Sequence, residues 1–139
     1  MSLEAALYDI LKGASGVTTI VGGTKSPRIF PLGIPQGKAV PAVVYQQITG
    51  EVTVSCEGDG DLRTDGVQIT CWDDDPDGAR SLAEAVRTAL QAEAAKGAHG
   101  SVTVTYWSIG DEADVIDENE DNETLTRYGK RQEWEICYR

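Results

Sequence analysis

The residues with the sharpest chemical spacing lie between positions 73 and 84. Asp73, Asp75, Asp77, Gly78 and Glu84 follow D-x-D-x-D-G-x5-E, the pattern of a calcium-binding EF-hand loop. Calcium takes roughly six to eight oxygens, which alternating carboxylates and a sharp glycine turn supply. The surroundings point to another use. The segment before Asp73 alternates like a strand, Pro76 sits inside the loop, and Arg80 stands where such loops carry an aliphatic residue. The same letters spell a helix start, with Asp75 as N-cap, Pro76 in the first helical position and Asp77 near the positive end of the helix dipole. The helix start is the preferred reading. A monomeric calcium-binding module using the Asp73–Glu84 loop is the alternative.

Other reactive groups lack partners. His99 is the single histidine, in the turn Gly97-Ala98-His99-Gly100, with no nucleophile motif beside it. G-x-S-x-G is absent, and neither Ser15-Gly16 nor Ser55-Cys56 is marked as activated. Gly22-Gly23-Thr24-Lys25-Ser26 lacks the leading glycine and Gly-Lys pair of a phosphate-binding loop. Acids are too numerous for any pair to stand out as a glycosidase dyad. No catalytic, cofactor-binding or metal-binding residue is assigned, no cofactor is expected, and the chain reads as a non-enzyme.

The elements that must position these groups follow from periodicity. Residues 2–12 predict an amphipathic helix through Leu3, Leu7, Ile10 and Leu11, capped by Ser2 and stopped by Gly13. A short turn or helix follows through Val17 to Val21. Arg28 to Pro31 is extended, and residues 33–37 are a loop. Pro41 to Thr49 predicts a strand, and Glu51 to Cys56 a second one, with a polar turn at 57–61. In the strand 62–72, Val67, Ile69 and Cys71 share one face, while Gln68, Thr70 and Trp72 share the other. Residues 76–95 predict the clearest helix, with Ala79, Leu82, Ala83, Val86, Ala89 and Leu90 in one stripe. Strands are predicted at 101–109 and 124–138, the latter with Trp134, Ile136 and Tyr138 on one face and Gly129 at a bulge or bend. Between them, eight of the thirteen residues 111–123 are acidic and none is basic. Such a run repels itself and predicts a mobile, solvated loop.

The 139 residues suit one domain, 1–139, with 40% apolar and 25% charged residues. The order of elements predicts an α+β fold, a mostly antiparallel β-sheet with two main α-helices packed on one face. Net charge is −11, which disfavours a grip on phosphate backbones or on an anionic membrane surface. Cys56, Cys71 and Cys137 are odd in number and lack CxxC spacing, so free thiols in a reducing cytoplasm are expected. No signal peptide is visible and no window is apolar enough to span a bilayer.

Several segments, in order, resemble the phage tail completion, or tail terminator, family. They are Leu3 to Tyr8, Val21-Gly22, Arg28 to Pro31, Pro35 to Gly37, Pro41 to Gln46, Val67 to Trp72 and Ala79 to Leu90. Together they span about two-thirds of the chain. The resemblance implies a subunit of a ring, usually a hexamer, that caps the tail tube, stops its polymerisation and meets the head connector. It implies a place in the virion tail, assembly in the host cytoplasm, and partners in the subunit itself, the tail tube protein and the head–tail connector. It brings no catalytic residue and no obligatory cofactor. Two features depart from the family's pattern: the Asp73-Asp74-Asp75 run and the length and charge of 111–123. Some of the acids of 111–123 are expected to face the channel or the tube end. Expected contacts are the loop 31–38, the segment 50–61 and the strand 124–138, where Arg127, Lys130 and Arg131 form a basic cluster.

Overall fold

The structure is a computed structural model describing residues 3–23, 25, 27–34, 40–53, 62–92, 97–99, 102–118 and 126–138. Alternating apolar residues build a six-stranded sheet from β1 (Ile29–Pro31), β2 (Ala42–Thr53), β3 (Leu62–Asp73), β4 (Gly97–His99), β5 (Val102–Glu118) and β6 (Thr126–Tyr138). The spatial order is β1-β2-β3-β6-β5-β4, with only β1 and β2 parallel. The helices are α1 (Leu3–Gly13), the one-turn α2 (Ser15–Thr18) and α3 (Pro76–Gln91). The fold is α+β with a mostly antiparallel sheet, as the element order predicts.

One face of the sheet and one stripe of each helix make the core. Helix α1 buries Leu3, Ala6, Leu7 and Leu11, and α3 buries Ala79, Leu82, Ala83, Val86 and Leu90. They meet Val43 and Tyr45 of β2, Val67, Ile69 and Cys71 of β3, and Trp134, Ile136 and Tyr138 of β6. Trp107 of β5 lies edge-on to Trp134, with ring centroids 6.5 Å apart. The core also holds polar links. Gln132, fully buried, donates from Nε2 to the Ala83 carbonyl at 3.0 Å and accepts the Trp134 indole N–H at 3.0 Å. It ties α3 to the sheet and meets the buried Trp134 indole donor.

Four expectations need correction. The segment 42–53 is one strand, not two, because a register shift between Gln47 and Thr49 absorbs the irregularity while pairing to β3 continues to Thr53. Helix α3 ends at Gln91 rather than 95, since its buried stripe ends at Leu90 and Ala92 is already extended. Gly129 is not at a bulge, because the register with both β3 and β5 runs through it unbroken. Residues 111–118 are strand, not loop. Two of their acids stand opposite bases in the register, Asp114 at Lys130 and Asp117 at Arg127, while Asp111 stands opposite Glu133. Opposite charges across a strand pair attract, and Lys130, within reach of Glu112 and Asp114, offsets part of the repulsion within the run. The cap at Ser2 and the turn 57–61 lie outside the described residues, as do residues 119–123.

Candidate assembly surfaces

The aspartate-rich junction shows how local chemistry shapes a start of helix. Asp75 is extended at φ −121° and ψ 132°, and its Oδ1 accepts the Asp77 N–H at 3.1 Å. Asp73 Oδ1 accepts the Asp74 N–H at 2.7 Å. Asp77 meets Arg80 at 3.4 Å, and Glu84 meets Arg87 at 4.0 Å. A Cβ at Gly78 would run into the Asp73 carboxylate, which accounts for that glycine without any ion. Among the described residues no three of His, Cys, Asp and Glu gather as a metal cage. His99 falls in β4, where its backbone pairs with Val102; its side chain lies outside the described residues. Ser15 begins α2.

On the helix side, the far half of the β5–β6 ribbon carries a charge lattice. Lys130 Nζ lies 3.1 Å from Asp114 and 3.9 Å from Glu112, and Arg87 of α3 reaches Glu112 at 3.7 Å. The lattice pins the acidic strand to the helix. It also divides the basic cluster, because successive strand residues point to opposite faces. Lys130 is spent on its own chain, while Arg127 and Arg131 project from the other face.

A second charged group lies deeper. Asp65 is 1% exposed. Its Oδ2 accepts the Tyr138 hydroxyl at 2.6 Å, and Arg63 approaches Oδ1 at 3.7 Å. Burial, then the hydrogen bond to Asp65, push the Tyr138 hydroxyl up to about 12. Burial also pushes up the Cys71 thiol and the Tyr45 hydroxyl. Sequence reading missed Asp65 and Gln132 as core residues. Both stand in the inward phase of their strands, and that phase was the available signal.

The helix-free face is shaped differently. Ala42, Val44, Thr70 and Gly129 are buried there, and Phe30 and Trp72 are half-buried. Gly129 is overlain by Trp72 and Val115, whose side-chain atoms come within 2.7–2.9 Å of where a Cβ would stand. Leu32, from the expected contact loop, is 77% exposed, while residues 35–38 of that loop lie outside the described residues. Finally, the sheet has two unequal margins. β1 covers only Val43–Tyr45 of β2, and β4 only Val102–Val104 of β5. Beyond them, along 48–53 of β2 and 108–118 of β5, no further strand lies outside among the described residues.

Among the described residues these surfaces present charged groups, exposed apolar side chains and uncovered strand margins. Residues 5–126 match the family model described as tail completion protein gp17, and the chain belongs to that family. Its class is a phage tail completion protein, a virion component, as the ordered resemblance implies. A solved structure described as the virion of a native gene transfer agent particle contains a similar chain. The two are 15% identical, with a TM-score of 0.59, over 98% of this chain and 95% of that one. At that identity the likeness speaks for the fold. Among curated proteins none matches.

Proposed function

We propose that the chain is the single-domain subunit of a homo-oligomeric ring, a hexamer, that caps the finished tail tube. The ring stops tube polymerisation and presents a surface to the head connector, in the virion tail, after assembly in the host cytoplasm. It acts through contacts, without catalysis or cofactor. The observation that carries this reading is the pair of unequal open margins on opposite sides of one sheet. A ring needs heterologous contacts, in which one patch meets a different patch next door. Two different strand margins, each with backbone groups to pair, are such patches. The exposed acids Asp111 and Asp114 at the β5 margin carry the sign that repels phosphate, which suits a passage that DNA crosses without sticking.

Light scattering across a concentration series, alone and with tail tube protein, tests the reading. The expected result is a six-subunit species, free or at tube ends. A monomer at every concentration that also leaves tube growth unaltered would overturn it.

A further inference from the structure

The helix-free face holds a cavity of ≈ 300 Å³ that the ring reading does not use. Its floor is polar. Gln46 and Gln68 stand opposite each other on β2 and β3, with Thr70 next along. Its walls are apolar, made by Trp72, Ile34 and Leu32. Leu32 has φ 68°, a left-handed conformation that non-glycine residues enter only at a cost. Its N–H is bonded to the Tyr45 carbonyl at 2.9 Å. The turn is thus anchored to the sheet while the leucine side chain is held out in solvent. Strained backbone of this kind clusters at ligand clamps and switch regions.

Arg127 closes the remaining side. It is half-buried, and among the described residues its guanidinium has no hydrogen bond and no ion pair. The chain has 23 acids and 12 bases, so a partly desolvated cation with no counterion among the described residues stands out; the side chain of Asp117, opposite it in the register, lies outside them. A guanidinium in this state is a ready fork for a carboxylate. The cavity lies on a sheet face, not along a strand margin, so the occupant is recognised by side chains rather than by strand pairing.

We propose that this cavity docks the free C-terminus of another virion protein, one that ends in an aliphatic residue. The α-carboxylate sits on Arg127, and the last side chain packs against Leu32, Ile34 and Trp72. The charge balance selects a chain end over an internal acidic segment. Asp73, Asp74 and Asp75 directly follow Trp72, so a segment with several carboxylates would meet like charges. A single terminal carboxylate neutralises Arg127 and adds no surplus. The inference stands whether or not the subunits close into a ring.

The test titrates the isotope-labelled full chain with acetyl-Gly-Ser-Gly-Ser-Leu bearing a free carboxylate. The same peptide as an amide, and an amidated peptide with Leu-Asp at its centre, are the comparison probes. Two-dimensional NMR follows the Trp72 indole, the Gln46 and Gln68 side-chain amides and the Arg127 Nε–H. Saturable shifts of these signals by the free carboxylate are expected. Binding should weaken roughly fivefold for the amide, and as much for Arg127→Leu, as for a partly exposed ion pair. Gln46→Glu, which places a negative charge on the floor, should weaken it likewise in a chain that keeps its dispersed spectrum. Equal binding of acid and amide, shifts confined to other residues, or no saturable shift would overturn the proposal. Tighter binding of the central Leu-Asp peptide would overturn the choice of a chain end in favour of an acidic segment.

Discussion

At the scale of single residues, the fold depends on places where a side chain is absent or polar by necessity. Gly129 is the clearest. A Cβ there would stand 2.7 Å from Val115 Cγ2 and 2.8 Å from Trp72 Cε3, closer than atoms approach without displacement. Gly129→Ala should therefore destabilise the chain by about 1–3 kcal/mol, the usual cost of overpacking. Urea unfolding would show a lower midpoint with an unchanged slope. A midpoint equal to that of the parent would mean that the Trp72 ring yields freely. Sequence reading found something unusual at this glycine but assigned it to backbone irregularity. A lone letter does not distinguish a bulge from a close approach across strands, since the second depends on Trp72 and Val115, distant in the chain. Asp65 and Gln132 teach the complementary lesson. Alternation placed Val67, Ile69, Cys71, Trp134 and Ile136 inward, and they are buried. The same phase points Asp65 and Gln132 inward too, but residue type argued for solvent. Their partners, Tyr138 and the Ala83 carbonyl, come from elsewhere in the fold.

At the scale of elements, legibility followed how local the deciding interactions are. Helix α3 was readable at its start because capping is a matter of adjacent residues, and Asp75, Pro76 and Asp77 stand in the predicted roles. The acidic segment was misread because its stability is non-local. Read alone, 111–118 is a self-repelling run. Paired with β6, it faces Lys130, and through Glu112 it reaches Arg87 of α3. The candidate surfaces were legible to the same degree. The loop after Pro31 and the last strand do present exposed groups, but the basic cluster splits across two faces. The lattice yields a test. Lys130→Met removes the cation between Glu112 and Asp114 and leaves two carboxylates facing each other. Because Asp114 is 67% exposed at its side chain, solvent screens much of the effect, and a loss of about 0.5–1 kcal/mol is expected. The loss should shrink as salt rises from low to high concentration, because exposed charges are screened over about a Debye length. Urea unfolding of both chains in the two salts checks this. A loss that ignores salt would show that the lysine acts by packing its stem, not by charge.

At the scale of the whole molecule, the buried hydroxyls and thiol couple stability to alkaline pH. Tyr138, Tyr45 and Cys71 all hold their protons more tightly in the fold than in the unfolded chain, chiefly because burial disfavours the charged form. For Tyr138 the hydrogen bond to Asp65 and that carboxylate's charge add to burial, while Arg63 opposes them. Groups raised in this way contribute stability that is complete below their unfolded values and is lost as pH rises through their folded values. The unfolded thiol titrates near 9.0 and the unfolded hydroxyl near 10.0, and the folded Tyr138 near about 12. Thermal midpoints should therefore be level up to about pH 9 and fall most steeply between about pH 10 and 12. The Tyr138 part of that fall is on the order of 2 kcal/mol. Tyr138→Phe separates the coupling from simple loss of packing. It removes the hydrogen bond to Asp65, so its midpoint at neutral pH should be lower, yet its decline above pH 10 should be shallower than the parent's. Calorimetry at constant ionic strength follows both chains. Parallel declines in the two would show that other groups carry the alkaline transition, and would leave the Asp65–Tyr138 pair as a packing contact alone.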